Sequence, residues 1–391
     1  MFKVQFKDVL IIFSIILLGI STSFYKGYGD DLDSHSLILS FINAYENGVY
    51  SPSRFYGSPF GEIFYGFLGY NFGSFVGSIL SFCFFLISII LFFLSFTKNK
   101  INKRNIYLFI LVCFSNPVLY LDNTNPSDYP LTLLFFSVAI YLFRNNNQMY
   151  SILFFGLTVA TKANYALFII AFLIYEFYSQ KKNLKLILIV FFYSFLIGSL
   201  FYLPIFIQSK LSLSFISNSG GPDLTLKVLT PRFFYKIYLA MGIFSSILIS
   251  FIFLTNYKKL KKLILVNIDI FVLLVLNLLV FYFMPTKTSI ISLVIILIYI
   301  LLFKIIDKKI YIYLVIILNL SFYLISYEIF DFKYKYSGKC EPIHAIGAKL
   351  NFKLSEGYFF KRTKFMENQI ECASYQFGSK SQRYINGKKI K

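Results

Sequence analysis

Charge is what this 391-residue sequence has least of: only 14% of its residues are Asp, Glu, Lys or Arg, against about 25% in soluble domains. With 57% hydrophobic residues, that deficit excludes an ordinary soluble globular protein. Cysteine is scarce as well, and four are too few for a disulfide scaffold. Cys83 and Cys113 fall inside apolar runs and read as inert core residues. Cys340 and Cys372 lie in the one sizeable polar segment and can pair if that segment is extracytoplasmic. The two histidines, His35 and His344, stand alone, read as structural or surface residues, and make no HExxH or Cys/His metal cluster. Walker loops, GxSxG elbows and βαβ patterns are missing too, and with them the phosphate-loop, serine-hydrolase and Rossmann-type chemistries. Neither a cofactor nor a protein-bound metal is expected.

What the sequence does have is Phe (50) and Tyr (31), beside abundant Ile and Leu. Apolar runs occur at about residues 8–25, 72–97, 105–120, 130–143, 149–161, 165–178, 186–207, 237–255, 263–284, 289–303 and 310–328. These predict an all-α polytopic membrane protein with about eleven transmembrane helices. The fourth and fifth runs are short for a span of about 20 residues, which implies tilt, breaks or shielding by neighbours. The first run lacks a small-residue cleavage site and reads as a span rather than a signal peptide.

The net charge of +20 does not indicate nucleic acid, because its basic residues sit in short loops. Lys3 and Lys7 precede the first run. The even-numbered runs end at Lys98 to Arg104, Arg144, Lys181 to Lys185, Lys258 to Lys262 and Lys304 to Lys309. With eleven spans all these clusters fall on one side, which the positive-inside rule makes the cytoplasm, together with the N-terminus. Segments 26–71, 121–129, 208–236, 284–288 and the tail from about 329 then face outward. The transmembrane domain is thus 1–328. The tail 329–391, with strand-like alternation, is a small α/β or irregular extracytoplasmic domain, although Lys333, Lys335 and Lys339 make it basic next to the membrane.

The first external segment carries most of the chemistry. Asp30, Asp31 and Asp33 come after the first span, and Leu37, Ile38, Phe41, Ile42 and Tyr45 then recur at helical spacing. That pattern predicts an amphipathic helix on the membrane surface, ended by Gly48, with Pro52 and Pro59 breaking the next stretch. Asp33 sits at the N-cap position, so one reading makes it a cap and leaves Asp30 and Asp31 solvated. The DxD formed by Asp31 and Asp33 is discounted as a nucleotide-sugar signature, because that motif belongs to Rossmann-like domains.

Asp33, the helix ending at Gly48 and the segment Tyr50-Ser51-Pro52-Ser53-Arg54 together resemble the first loop of membrane-embedded C-type (GT-C) glycosyltransferases. Asp128-Tyr129-Pro130-Leu131, Thr161-Lys162 and Pro285-Thr286-Lys287 come next in the order seen in that superfamily, so the resemblance covers roughly residues 8–300. The superfamily includes protein O-mannosyltransferases and lipid A aminoarabinose transferases. The resemblance selects Asp33 as the principal catalytic carboxylate. Ser34 departs from the usual acidic second position, which brings in Asp30 or Asp31 for an acidic role, and Asp128 is the next acidic candidate. The resemblance places a phosphate-binding basic residue at Lys287, and Arg54, Lys162 and Arg232 are further cations that can stabilise the departing phosphate of a polyprenyl-phosphate-linked sugar. The implied reaction is inverting transfer of that sugar to an extracytoplasmic glycan, lipid or protein, at the inner membrane, as in decoration of O-antigen or another surface polysaccharide. The rival reading is a transporter or flippase of a lipid-linked saccharide, but no internal repeat supports it and the unusual charges lie at span ends. A glycan polymerase or ligase using diphosphate-linked donors shares the chemistry.

Overall fold

A computed structural model describes residues 13–21, 32–48, 50–53, 57–97, 102–180, 182–208, 226–283, 288–336 and 342–357. Every predicted apolar run meets a helix among these residues. In chain order they are α1 (13–21), α2 (Leu32–Asn47), α3 (Pro59–Phe72), α4 (Ser74–Phe96), α5 (Lys103–Ser115), α6 (Pro117–Asn123), α7 (Asp128–Arg144) and α8 (Gln148–Thr161). Beyond them lie α9 (Tyr165–Gln180), α10 (Leu184–Gln208), α11 (Leu226–Met241), α12 (Ile243–Thr255), α13 (Tyr257–Val266) and α14 (Ile268–Phe283). A 3₁₀ turn (Thr288–Ile291), α15 (Ser292–Ile305) and α16 (Ile310–Leu324) complete the bundle.

The fold is therefore all-α, with apolar helices that suit a membrane. Among the described residues, two helices, Ser74–Phe96 and Leu184–Ile207, are by themselves long and apolar enough to cross a bilayer, and counting each bent pair as one span gives up to five. The bends fall between α5 and α6 (83°), α11 and α12 (90°) and α13 and α14 (95°). Such breaks are tolerated in apolar surroundings only where the freed backbone groups find partners. At the first bend Asn116 supplies them. Its Oδ1 accepts from Leu119 N (2.9 Å) and caps α6, whose first residue is Pro117. Its Nδ2 donates to Ala240 O (2.9 Å) and Tyr299 Oη (3.1 Å). Tyr299 Oη also accepts from Asn319 Nδ2 (3.0 Å), and Asn319 Oδ1 accepts from Ser245 Oγ (2.7 Å). This buried chain of polar side chains ties α5, α6, α11, α12, α15 and α16 together, as polar groups do between apolar helices.

Elsewhere helices meet through small residues. A Cβ on Gly156 of α8 would lie 2.6 Å from Ile197 Cγ2 and 3.1 Å from Ser194 O, and one on Gly198 of α10 would lie 2.7 Å from Val159 Cβ and 3.2 Å from Gly156 O. The α8 and α10 backbones are thus close enough that only glycine fits.

Three local outcomes differ from the sequence reading. Pro59 does not merely break the chain. It opens α3 as a first-turn residue, where its missing N–H is no loss. Segment 122–128, expected in an external loop, is buried throughout. The last apolar run stops at Leu324, where the chain passes directly into a hairpin of β1 (Ile325–Tyr336) and β2 (Pro342–Glu356). The strands are antiparallel, with Tyr327 opposite Leu354 and Glu328 opposite Lys353, an opposite-charge cross-strand pair. Tyr238 Oη donates to Tyr327 O (2.7 Å) and pins the hairpin to α11. Cys340 and Cys372 lie outside the described residues.

Candidate functional site

The site begins with two helix ends that the sequence puts 34 residues apart. Asp128 is the first residue of α7, where a carboxylate complements the helix dipole. α8 ends at Thr161, and Lys162 leaves it in extended conformation, its N–H still bonded to Thr158 O (2.9 Å). Lys162 Nζ lies 3.2 Å from Asp128 Oδ2, with the two side chains 5% and 1% exposed. The ammonium also sits 3.2 Å from the centroid of the Tyr129 ring, so a carboxylate and an aromatic face share one buried cation.

The first loop is stitched to this corner. Ser58 Oγ donates to Thr161 O (2.6 Å), the carbonyl immediately before Lys162. A Cβ on Gly61 would lie 3.5 Å from Asp128 Cβ, so α3 packs directly on the acid. The loop is itself organised around Glu62, a buried carboxylate in the first turn of α3. Glu62 accepts from Ser53 N (2.8 Å), Ser53 Oγ (2.6 Å), Ser58 N (3.0 Å) and the Tyr50 hydroxyl. Burial, the Glu62 charge and this hydrogen bond push the Tyr50 phenol well above its ordinary value, which keeps it protonated as a donor. Gly57 permits the turn: its φ is +64°, and a Cβ there would lie 2.6 Å from Ile205 Cδ1.

Some buried polar atoms in and near these segments lack a protein partner. Ser127 Oγ, Asn164 Oδ1 and Asn123 Oδ1 make no hydrogen bond to protein. Two of these belong to residues within two positions of Asp128 and Lys162. Such groups are rare in folded proteins and mark places that water or a ligand completes. No group of three or more His, Cys, Asp or Glu suited to a metal occurs among the described residues.

Of the residues singled out in the sequence, the structure joins Asp128 and Lys162 directly. Asp33 lies in the first turn of α2, which begins at Leu32 rather than after Asp33 and ends before Gly48, whose φ is +66°. The Asp33 side chain, Asp30, Asp31, Arg54 and Lys287 lie outside the described residues. Arg232 is half-buried on α11, the helix that packs against α6 and the Thr288–Ile291 turn. His35 is buried on α2, and desolvation lowers its pKa to about 4, so it is neutral near pH 7. The residue that sequence reasoning missed is Glu62. Its signal was present, as the lone acid of an apolar stretch, three residues after Pro59. No protein-family model, curated protein or solved structure matches this chain.

Proposed function

We propose that the chain is an inverting glycosyltransferase that moves a sugar from a polyprenyl-phosphate donor to an extracytoplasmic glycan, lipid or protein. In this reading the short and bent helices count as spans beside α4 and α10. The chain crosses the inner membrane eleven times, with its N-terminus in the cytoplasm and its active site outside. One observation carries the reading. Asp128 and Thr161-Lys162, two segments the GT-C resemblance selects, meet in one buried corner, to which Ser58 is bonded, and Tyr50 and Ser53 of the third selected segment are tied to Glu62 beside Ser58.

The chemistry asks for two groups. The acceptor hydroxyl attacks the anomeric carbon, forming the new C–O bond as the bond to the donor phosphate oxygen breaks. The phosphate leaves with the electron pair, and the hydroxyl proton passes to a carboxylate, assigned to Asp33. A single displacement inverts the anomeric centre. The departing phosphate needs cations, and Lys162 offers an ammonium already desolvated and aimed by Asp128. Arg54, Lys287 and Arg232 are the further cations of the assignment. Asp128 then acts as the positioning partner of Lys162 rather than as the base.

The test is to incubate purified protein with a panel of polyprenyl-phosphate sugars and an acceptor glycan. Release of polyprenyl phosphate matched by sugar transfer supports the enzyme. Movement of labelled donor across vesicles with no release and no transfer contradicts it and favours a transporter.

A further inference from the structure

The opposite end of the bundle holds a second polar centre, unrelated to the Asp128–Lys162 corner. Arg144 ends α7, 16 residues and about 24 Å along the helix from Asp128. Its guanidinium donates to Glu176 Oε1 (3.0 Å), Ser95 O (2.7 Å) and Asp269 Oδ2 (2.5 Å), which ties α7 to α9, α4 and α14. The guanidinium carbon lies 4.6 Å from the centroid of the Phe96 ring.

Beside this knot is a cavity of about 500 Å³, the size range of sites for small organic ligands. Arg144, Lys182 and Lys304 line it together with Glu176, Asn267 and Ser95. Counting Asp269 as well, the lining groups carry one net positive charge. Lys182 Nζ donates to Asn146 Oδ1 (2.6 Å), and Lys304 Nζ donates to Asn267 Oδ1. A second observation points to a missing partner: Ser95 is 4% exposed, lines the cavity, and its Oγ has no hydrogen bond to protein.

Phe93, Phe96, Phe303, Leu263 and Val266 give the wall an apolar part, and Thr97, Asn105, Asn146 and Tyr175 add polar groups to the remainder. Leu263 and Val266 come from α13, the short helix set 95° from α14. Its Lys258, Lys261 and Lys262 are exposed, as are Leu265 and Val266, the pattern of a helix lying in a membrane interface. The cavity thus combines cationic donors with apolar side chains, two of which, Leu263 and Val266, belong to this interfacial helix.

We propose that this cavity binds the phosphate of an anionic amphiphile, with its ester substituents along the apolar part of the wall. A phosphodiester carries one negative charge, which neutralises the site. Its several acceptor oxygens match donors converging from α7, α15 and the loop before α10. Sugars and cations fit less well, the first because the donors are charged, the second because the net charge is positive.

The test uses the full-length protein in detergent micelles and measures retention of labelled phosphatidylglycerol against phosphatidylcholine. Phosphatidylglycerol should be held at least about tenfold more tightly, with the preference saturating at one lipid per chain. Lys182→Gln/Lys304→Gln should remove that preference, whereas Lys258→Gln/Lys262→Gln, which removes the same charge outside the cavity, should keep it. Glycerol phosphate and inorganic phosphate serve as competitors. Displacement by either at low millimolar concentration assigns the site to a free phosphate compound, and failure to displace assigns it to a lipid headgroup. Should the Lys182/Lys304 variant not fold, the Tm of the wild-type protein decides: phosphatidylglycerol should raise it above its value in phosphatidylcholine. Equal retention and equal Tm in the two lipids, an unaltered preference in Lys182→Gln/Lys304→Gln, or loss only in the Lys258/Lys262 variant would overturn the proposal.

Discussion

At the scale of single residues, the burial of Lys162 determines what its replacement measures. Lys162→Met leaves Asp128 as an uncompensated carboxylate at 1% exposure, which should cost about 3–5 kcal/mol of stability. Asp128→Asn/Lys162→Met removes both charges and should recover most of it. Thermal unfolding in detergent checks this, and a single variant as stable as wild type would mean the pair is not formed. Glu62→Gln turns an acceptor into an amide whose NH₂ faces donors from Ser53, Ser58 or Tyr50. It should destabilise by about 1–3 kcal/mol and open the 50–58 loop to protease, and unchanged proteolysis would count against the hub. His35 gives a pH dependence. Its ordinary value of 6.5 falls to about 4 in the fold, so below pH 6.5 the unfolded chain takes up a proton that the folded chain does not. Stability is therefore full above about pH 6.5 and declines as pH drops toward 4, by an amount on the order of 3 kcal/mol. His35→Asn should remove that part of the acid sensitivity in unfolding curves. Asp128 and Lys162 were legible as candidates because each stands at the end of an apolar run. Their pairing was not, since nothing local joins residues 34 apart.

At the scale of elements, each of the eleven apolar runs meets a helix, because uninterrupted Leu, Ile and Phe leave few other structures available, but three of the runs are divided into two helices by a bend. The bends were harder to see. Asn116-Pro117 is a local break signal, but its 83° consequence depends on Ala240 and Tyr299 arriving to take up the Asn116 amide. The burial of segment 122–128 is hidden from a sequence reading for a related reason. Its Asp, Asn, Thr, Pro and Ser residues look like a solvated loop until helices from elsewhere cover them. The α8–α10 contact holds the helix that ends at the Lys162 corner, and Gly156 and Gly198 let the two backbones approach closely there. Gly156→Val or Gly198→Val should push these helices apart and displace Thr161-Lys162. Membrane insertion should persist while transfer activity drops at least about tenfold, comparable to losing one charge-assisted contact. Fractionation and a transfer assay on the same preparation check this. Full activity in both variants would show that the corner does not depend on the contact.

At the scale of the whole molecule, the bundle divides by end. The Asp128–Lys162 corner and the Glu62 loop lie at one end, and the Arg144 knot and the lysines of α13 at the other. The basic loops predict which end is cytoplasmic. A reporter fused after Lys262 should be active in the cytoplasm, and one fused after Gly357, beyond the hairpin, should be active outside. Reporters on the same side would remove the eleven-span arrangement. The charge pattern made this division readable in advance, whereas the Arg144–Asp269 pair, 125 residues apart in sequence, required the fold. The most direct measurement of the proposed donor site is to photo-crosslink a polyprenyl-phosphate probe, reactive next to its phosphate, to the wild-type protein and map the labelled peptides. Label should appear on the segments containing Ser58–Glu62 and Thr161–Lys162 and be suppressed by unlabelled polyprenyl phosphate. Label confined to the Arg144 end, or label that unlabelled carrier does not suppress, would contradict the assignment.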